Sequence, residues 1–244
     1  MTPEITPALL AAIFAMAVLY SSVGHGGSSG YIAVMSLFAL APAFIKPTAL
    51  ALNILVASIG TLQFFRAGYF SFALFWPFAV LAAPLAFFGG AVALPARAFK
   101  LLVGVGLLFA ATRLVIAQRD ADETHLPPRP AAIASGGAIG VLAGLTGTGG
   151  GIFLTPLLLF FRWANLRTAA AVSAPFILLN SVAGLAGNFT VTREFPLGAF
   201  ALAGVAGLGG AIGSHLGSKK LAPPLIRQLL ALVLAIAGLK LLFA

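Results

Sequence analysis

Cysteine is absent from the 244-residue chain, and charge is scarce. Without cysteine there are no disulfides, no thiolate metal sites and no thiol nucleophile, and the redox compartment is left open. Charged residues make up 8% of the chain against 61% hydrophobic. A soluble domain is about a quarter charged, because its outer shell has to be polar. Lipid is the solvent that fits this composition. Glu4 and the linker acids Asp120, Asp122 and Glu123 lie outside the apolar runs. No carboxylate pair, metal cluster or nucleotide loop is visible, so no cofactor and no metal are expected. No Lys or Arg precedes the first apolar stretch, where residues 1–8 hold only Glu4 as a charge. A cleaved signal peptide is therefore not expected, and that stretch is read as a retained helix.

What is present is apolar length. Mean hydropathy is +1.09, and the apolar residues fall into unbroken Ala- and Leu-rich runs rather than the alternating ten-residue strands of a membrane barrel. A hydrocarbon core of about 30 Å takes about 20 helical residues. In the first half, residues 7–22 and 31–45 form short runs, and 48–65, 72–94 and 98–117 form longer ones. A hydrophilic stretch, 118–130, follows with Arg119, His125 and the Pro127-Pro128 pair, and reads as a linker. In the second half, 131–145 and 152–161 are short, and 168–189, 196–217 and 224–243 are long. The net charge of +9 comes mostly from single basic residues between runs, which is how membrane topology is set, so no nucleic acid is invoked.

The order repeats. Gly24-His25-Gly26-Gly27 aligns with Gly147-Thr148-Gly149-Gly150, and Pro47 to Asn53 aligns with Arg167 to Ser173. Gly89-Gly90 matches Gly209-Gly210, and Pro95 answers Pro223. The expected architecture is all-α and polytopic, with repeats at 1–117 and 131–244 around a linker at 118–130. If each pair of short runs forms a hairpin, three further helices leave the second repeat inverted. Arg66, Arg113, Arg119, Arg129, Arg162, Arg167, Lys219, Lys220 and Arg227 then collect on one side; Lys46, Arg97, Lys100, Arg193 and Lys240 collect on the other. The positive-inside bias puts the linker in the cytoplasm and both termini outward. Lys46, Arg66 and Arg113, near run ends, are read as snorkelling to the interface.

Short, glycine-interrupted segments at matching places in two halves point to a transport site. A helix that stops inside the membrane leaves unpaired backbone groups for which lipid offers no partner. Helix starts present N–H groups and partial positive charge, which suits an anion. His25, Gly26, Gly27, Ser28 and Ser29 form the first candidate cluster, with Ser28 or Ser29 as helix cap. Thr148, Gly149, Gly150 and Gly151 form the second. The competing reading is that the glycines only permit close helix packing. On the third helix of each half, Asn53, Gly60 and Thr61 share one stripe, and Ser173, Asn180 and Ser181 share the matching one. Such residues also serve as interhelical hydrogen-bonding groups. His25 suits donation to an anion or proton carriage, or alternatively capping of loose carbonyls. His215 is read as a packed helix residue. A membrane serine hydrolase built from Ser28 or Ser29 with His215 is the catalytic alternative, and an anion channel is the transport alternative.

At Val23-Gly24-His25-Gly26-Gly27-Ser28, at Pro47-Thr48-Ala49-Leu50-Ala51-Leu52-Asn53 and at Gly144-Leu145-Thr146-Gly147-Thr148-Gly149-Gly150-Gly151, the chain resembles the TauE/SafE family of sulfite and organosulfonate transporters over nearly its whole length. The resemblance implies a secondary carrier, generally an exporter, of sulfur oxyanions such as sulfite, taurine-like sulfonates or sulfoacetate. It further implies a bacterial-type inner membrane. Thiosulfate-importing members of a related branch rely on membrane cysteines, which this chain lacks. A homodimer is an expectation from carriers in general, with no residue pointing to it.

Overall fold

Proline opens several of the helices. In the computed structural model, which describes residues 5–116, 124–193, 198–219 and 224–243, a proline stands in the first turn of α1 (Pro7–Ser21), α3 (Pro42–Arg66) and α6 (Arg129–Thr146). Its missing N–H and fixed φ cost nothing there. Thr6, Ser71 and Asn165 cap α1, α4 (Phe72–Ala91) and α8 (Leu166–Thr192), each side chain accepting from a backbone N–H three residues on. The remaining helices are α2 (Ser28–Leu37), α5 (Ala96–Ile116), α7 (Gly151–Phe160), α9 (Gly198–Lys219) and α10 (Pro224–Phe243). Helices and the turns between them make up the described residues, with no strand among them, as the composition implied. Among the described residues, four helices are long and apolar enough to cross a membrane: Pro42–Arg66, Phe72–Ala91, Leu166–Thr192 and Ala199–Ser218. At 10 residues each, α2 and α7 are about 15 Å long, half the thickness of the hydrocarbon core.

The third helix differs from the sequence reading. It was expected to begin at residue 48, after a short run at 31–45; instead α2 stops at Leu37 and α3 begins at Pro42. Pro47 lies inside α3, early enough that its ring displaces a single hydrogen bond near the helix start. Of the linker 118–130, residues 118–123 lie outside the described residues.

Packing links the two runs of five helices. The fourth helix of each run lies on the first and third helices of the other: α4 on α6 and α8, and α9 on α1 and α3. Glycines bring backbones together in both assemblies. A Cβ on Gly136, Gly140 or Gly144 would run into the backbone of Phe78, Ala82 or Ala86, so α4 and α6 run parallel. Gly209, Gly213 and Gly217 of α9 meet Phe14, Val18 and Ser22 in the same four-residue steps. Small residues at this spacing supply the close van der Waals contact that membrane helices use in place of a hydrophobic drive. The equivalent helices α3 and α8 cross antiparallel: Leu50 lies against Gly184, Asn53 bonds to Ser181, and Gly60 faces Ala174. Large apolar side chains, among them Phe65, Phe72, Phe88, Phe200 and Leu208, cover the outer surface, where lipid accepts them.

Arg167 donates to the Tyr69 hydroxyl at 2.8 Å and lies over its ring, and Arg129 lies 5.9 Å from the Trp76 ring. These contacts bring the ends of α3 and the starts of α4, α6 and α8 to one side of the molecule, next to Arg66. Arg113, Lys219, Lys220 and Arg227 have no described side chains. Lys46, expected at an interface, is buried instead, because the early start of α3 carries it inside the bundle.

Candidate functional site

The two broken segments meet. Between α1 and α2 the chain turns through Gly24 (φ +76°) and Gly27 (φ +98°); between α6 and α7 it turns through Gly147, Gly149 and Gly150, all at positive φ. Glycine adopts that backbone without the Cβ penalty other residues meet. Gly27 and Gly150 occupy the N-cap positions of α2 and α7, so neither N-cap residue has a side chain with which to cap its own helix. The expectation that Ser28 or Ser29 caps α2 is therefore corrected. Ser28 is the first residue of the helix, so its hydroxyl is carried away from the helix's own N–H groups.

That hydroxyl reaches across the molecule instead, donating to the Thr148 carbonyl at 2.5 Å. His25 makes the second bridge: Nε2 lies 3.1 Å from the Gly151 carbonyl and Nδ1 lies 3.2 Å from the Val23 carbonyl. A neutral imidazole donates from one nitrogen only, and the cation from both. His25 is the sole residue from 20 to 36 that keeps partial exposure.

Asn53 of α3 sits between the breaks. Its Oδ1 accepts from the Ser28 N–H at 3.1 Å, and its Nδ2 donates to the Ser181 hydroxyl of α8 at 3.0 Å. A Cβ on Gly26 would collide with Oδ1, and one on Gly149 with Nδ2. The two glycines are what let both breaks close on one amide. Asn180 of α8 donates to the Gly149 carbonyl at 3.5 Å, while its Oδ1 is buried with no partner. The Tyr20 hydroxyl is also buried, on a ring whose centroid is 6.2 Å from that of His25. Unsatisfied polar atoms are rare in protein interiors and mark places where water or a ligand completes the bonding.

Of the residues singled out in the sequence, His25, Gly26, Ser28, Asn53, Thr148, Gly149, Gly151, Asn180 and Ser181 are joined in this one cluster. Gly27 and Gly150 flank it as helix caps, and Ser29 is buried at the second position of α2. Ser173 is elsewhere: its hydroxyl pairs with Thr155 of α7 at 2.7 Å, two turns along α8 from Ser181. Gly60 lies further along the α3–α8 crossing. His215 is exposed on α9, and the Ser28 hydroxyl is committed to Thr148, so the serine hydrolase pairing is not assembled.

The cluster includes residues the sequence did not flag. The Tyr31 hydroxyl donates to the Gly26 carbonyl at 3.0 Å, pinning the first break. Ile177 packs on Gly26, Gly149 and Gly151. Lys46 stands beside the second break, with its backbone carbonyl 3.1 Å from where a Cβ on Gly147 would be. Its position seven residues before Asn53, on the same helix face, was the available signal.

Comparison with known proteins agrees with the resemblance seen in the motifs. The family model described as Sulfite exporter TauE/SafE matches residues 9–241. The protein named Probable membrane transporter protein y4hK, from Sinorhizobium fredii strain NGR234, is 39% identical over 242 residues, covering 96% of this chain and 97% of that protein. No solved structure matches the chain.

Proposed function

Since the chain belongs to the TauE/SafE sulfite exporter family, a family of multi-pass membrane transporters and not enzymes, we propose that it is a secondary carrier exporting a small sulfur oxyanion. Sulfite, taurine-like sulfonates and sulfoacetate are the substrate candidates. The observation that carries this reading is the convergence of the two glycine breaks that lead into α2 and α7 on Asn53, whose amide oxygen takes the first N–H of α2. Helix N-termini favour negative charge through their exposed N–H groups and the helix dipole. The anion is held by those N–H groups with His25, Ser28, Ser29, Asn53, Thr148 and Asn180 around it. Gly26, Gly27, Gly149, Gly150 and Gly151 keep the backbone free of Cβ atoms. Ser173 supports the position of α7 through Thr155.

In this proposal residues 1–117 and 131–244 are inverted repeats that rock about the site. The antiparallel crossing of α3 and α8 supports the inversion. The two bonds between the breaks, Ser28 to Thr148 and His25 to Gly151, belong to a closed form and part when the anion enters. The linker faces the cytoplasm and both termini face outward, in a bacterial inner membrane. The protein works as a single chain or as a homodimer.

The test is flux into liposomes across sulfite, sulfate, taurine, sulfoacetate and thiosulfate. Saturation with at least one sulfur oxyanion is expected. A conductance that grows linearly with concentration for all of them would replace the carrier by an anion channel.

A further inference from the structure

Among the described residues, Lys46 is a buried cation with no carboxylate beside it. It is 6% exposed, and its ammonium donates to three carbonyls at the end of α4: Gly90 at 3.0 Å, Val92 at 3.2 Å and Gly89 at 3.4 Å. None of the described residues is Asp or Glu; the five acids are at positions 4, 120, 122, 123 and 194. Carbonyls at a helix C-terminus carry partial negative charge and lower the cost of the ammonium, but they leave its formal charge uncancelled. A bare charge in a membrane interior is expensive, and where one is kept it marks a path or site with a partner of opposite sign. In the aligned second half the corresponding position is Leu166, so symmetric packing of the two halves does not require a lysine.

Its place on α3 gives the charge a role. Lys46 and Asn53 are seven residues apart, on one helix face and about 10 Å apart along the axis. The second break runs along that face: Gly147 lies against the backbone and Cγ of Lys46, and Gly149 lies against the amide of Asn53. An anion moving between the ammonium and the helix starts at Asn53 stays beside one segment of chain throughout.

We propose that Lys46 is the counter-charge of the transported anion, exchanging its carbonyl partners for the anion as the anion moves to or from Asn53. The inference rests on the carrier reading above and assigns that site a formal charge. In the absence of substrate the three carbonyls hold the ammonium. Anion arrival frees the end of α4, which packs on α6 and α8 of the other half, and so couples binding to movement between the halves.

The test compares sulfite flux into liposomes for wild type, Lys46→Gln and Lys46→Arg at graded sulfite concentrations. Gln is neutral but keeps donors for the carbonyls; Arg keeps the charge. Loss of one charge near a charged ligand is expected to raise the KM for sulfite in Lys46→Gln by about tenfold or more, with Arg staying within about threefold of wild type. If Lys46→Gln does not insert, Lys46→Met supplies the neutral variant. An unchanged KM with a reduced maximal rate in the neutral variant would make Lys46 only a cap on α4 and overturn the proposal. Absence of saturable flux in wild type itself would overturn the carrier reading, and this inference with it.

Discussion

Asn53 offers the sharpest perturbation, because Asp is its isostere and changes only charge and donors. In Asn53→Asp one carboxylate oxygen still accepts from the Ser28 N–H, and the other takes the place of Nδ2 by accepting from the Ser181 hydroxyl. A negative charge then stands between the two helix starts. At roughly 5 Å from a bound monoanion and an effective dielectric constant of about 20, the repulsion is about 3 kcal/mol, which is about a hundredfold in affinity. Asn53→Ala removes both bonds and adds no charge. Interhelical hydrogen bonds in membranes average about 0.6 kcal/mol each, so its loss is about 1 kcal/mol, or about fivefold. The expected order of affinity is wild type, then Ala, then Asp. Sulfite flux in liposomes at equal protein insertion measures it. Asp equal to or better than Ala would refute an anion bound at this amide.

Four further perturbations test other parts. Gly27→Val and Gly150→Val force a branched side chain into left-handed backbone, with the Cβ 2.6 Å from Tyr31 and 2.8 Å from Ile139 respectively; both are expected to abolish flux while inserted protein remains detectable. His25→Ala removes the His25–Gly151 bridge and His25→Gln keeps one donor, so Gln is expected to retain more flux than Ala in the same assay. Gly140→Leu and Gly213→Leu drive side chains into the backbones of Ala82 and Val18, and detergent melting is expected to show loss of folded protein for both. Gly204→Ala, with nothing within 4 Å of its Cβ position, is expected to melt at or above wild type, since Ala favours a helix over Gly by about 1 kcal/mol.

Much of this arrangement is legible in residues alone. The paired glycine runs at 24–27 and 147–150 stand out because each cuts an apolar stretch into two short runs at matching places in the two halves. The start of α3 did not, because the apolar run before it continues without a break through residues 37–45, so hydropathy marks no boundary at Pro42. Lys46-Pro47 looked like a boundary, since proline usually disfavours helix before it, yet early in a helix proline is tolerated. The same misplacement hid Lys46. The bridges of Ser28 to Thr148 and His25 to Gly151 span 120 and 126 residues, and no local pattern encodes contacts at that separation. Asn53 was marked as polar on a helix stripe, but that it holds both breaks follows only from how α3 and α8 cross.

A carrier of this kind moves its anion in one binding event per cycle. Solute counterflow tests it most directly: liposomes containing the protein are loaded with unlabelled sulfite and diluted into a trace of radiolabelled sulfite. A carrier gives transient accumulation of label above its equilibrium level, and this overshoot is expected to disappear in Asn53→Asp. Label that only approaches equilibrium, at a rate proportional to concentration, would contradict it.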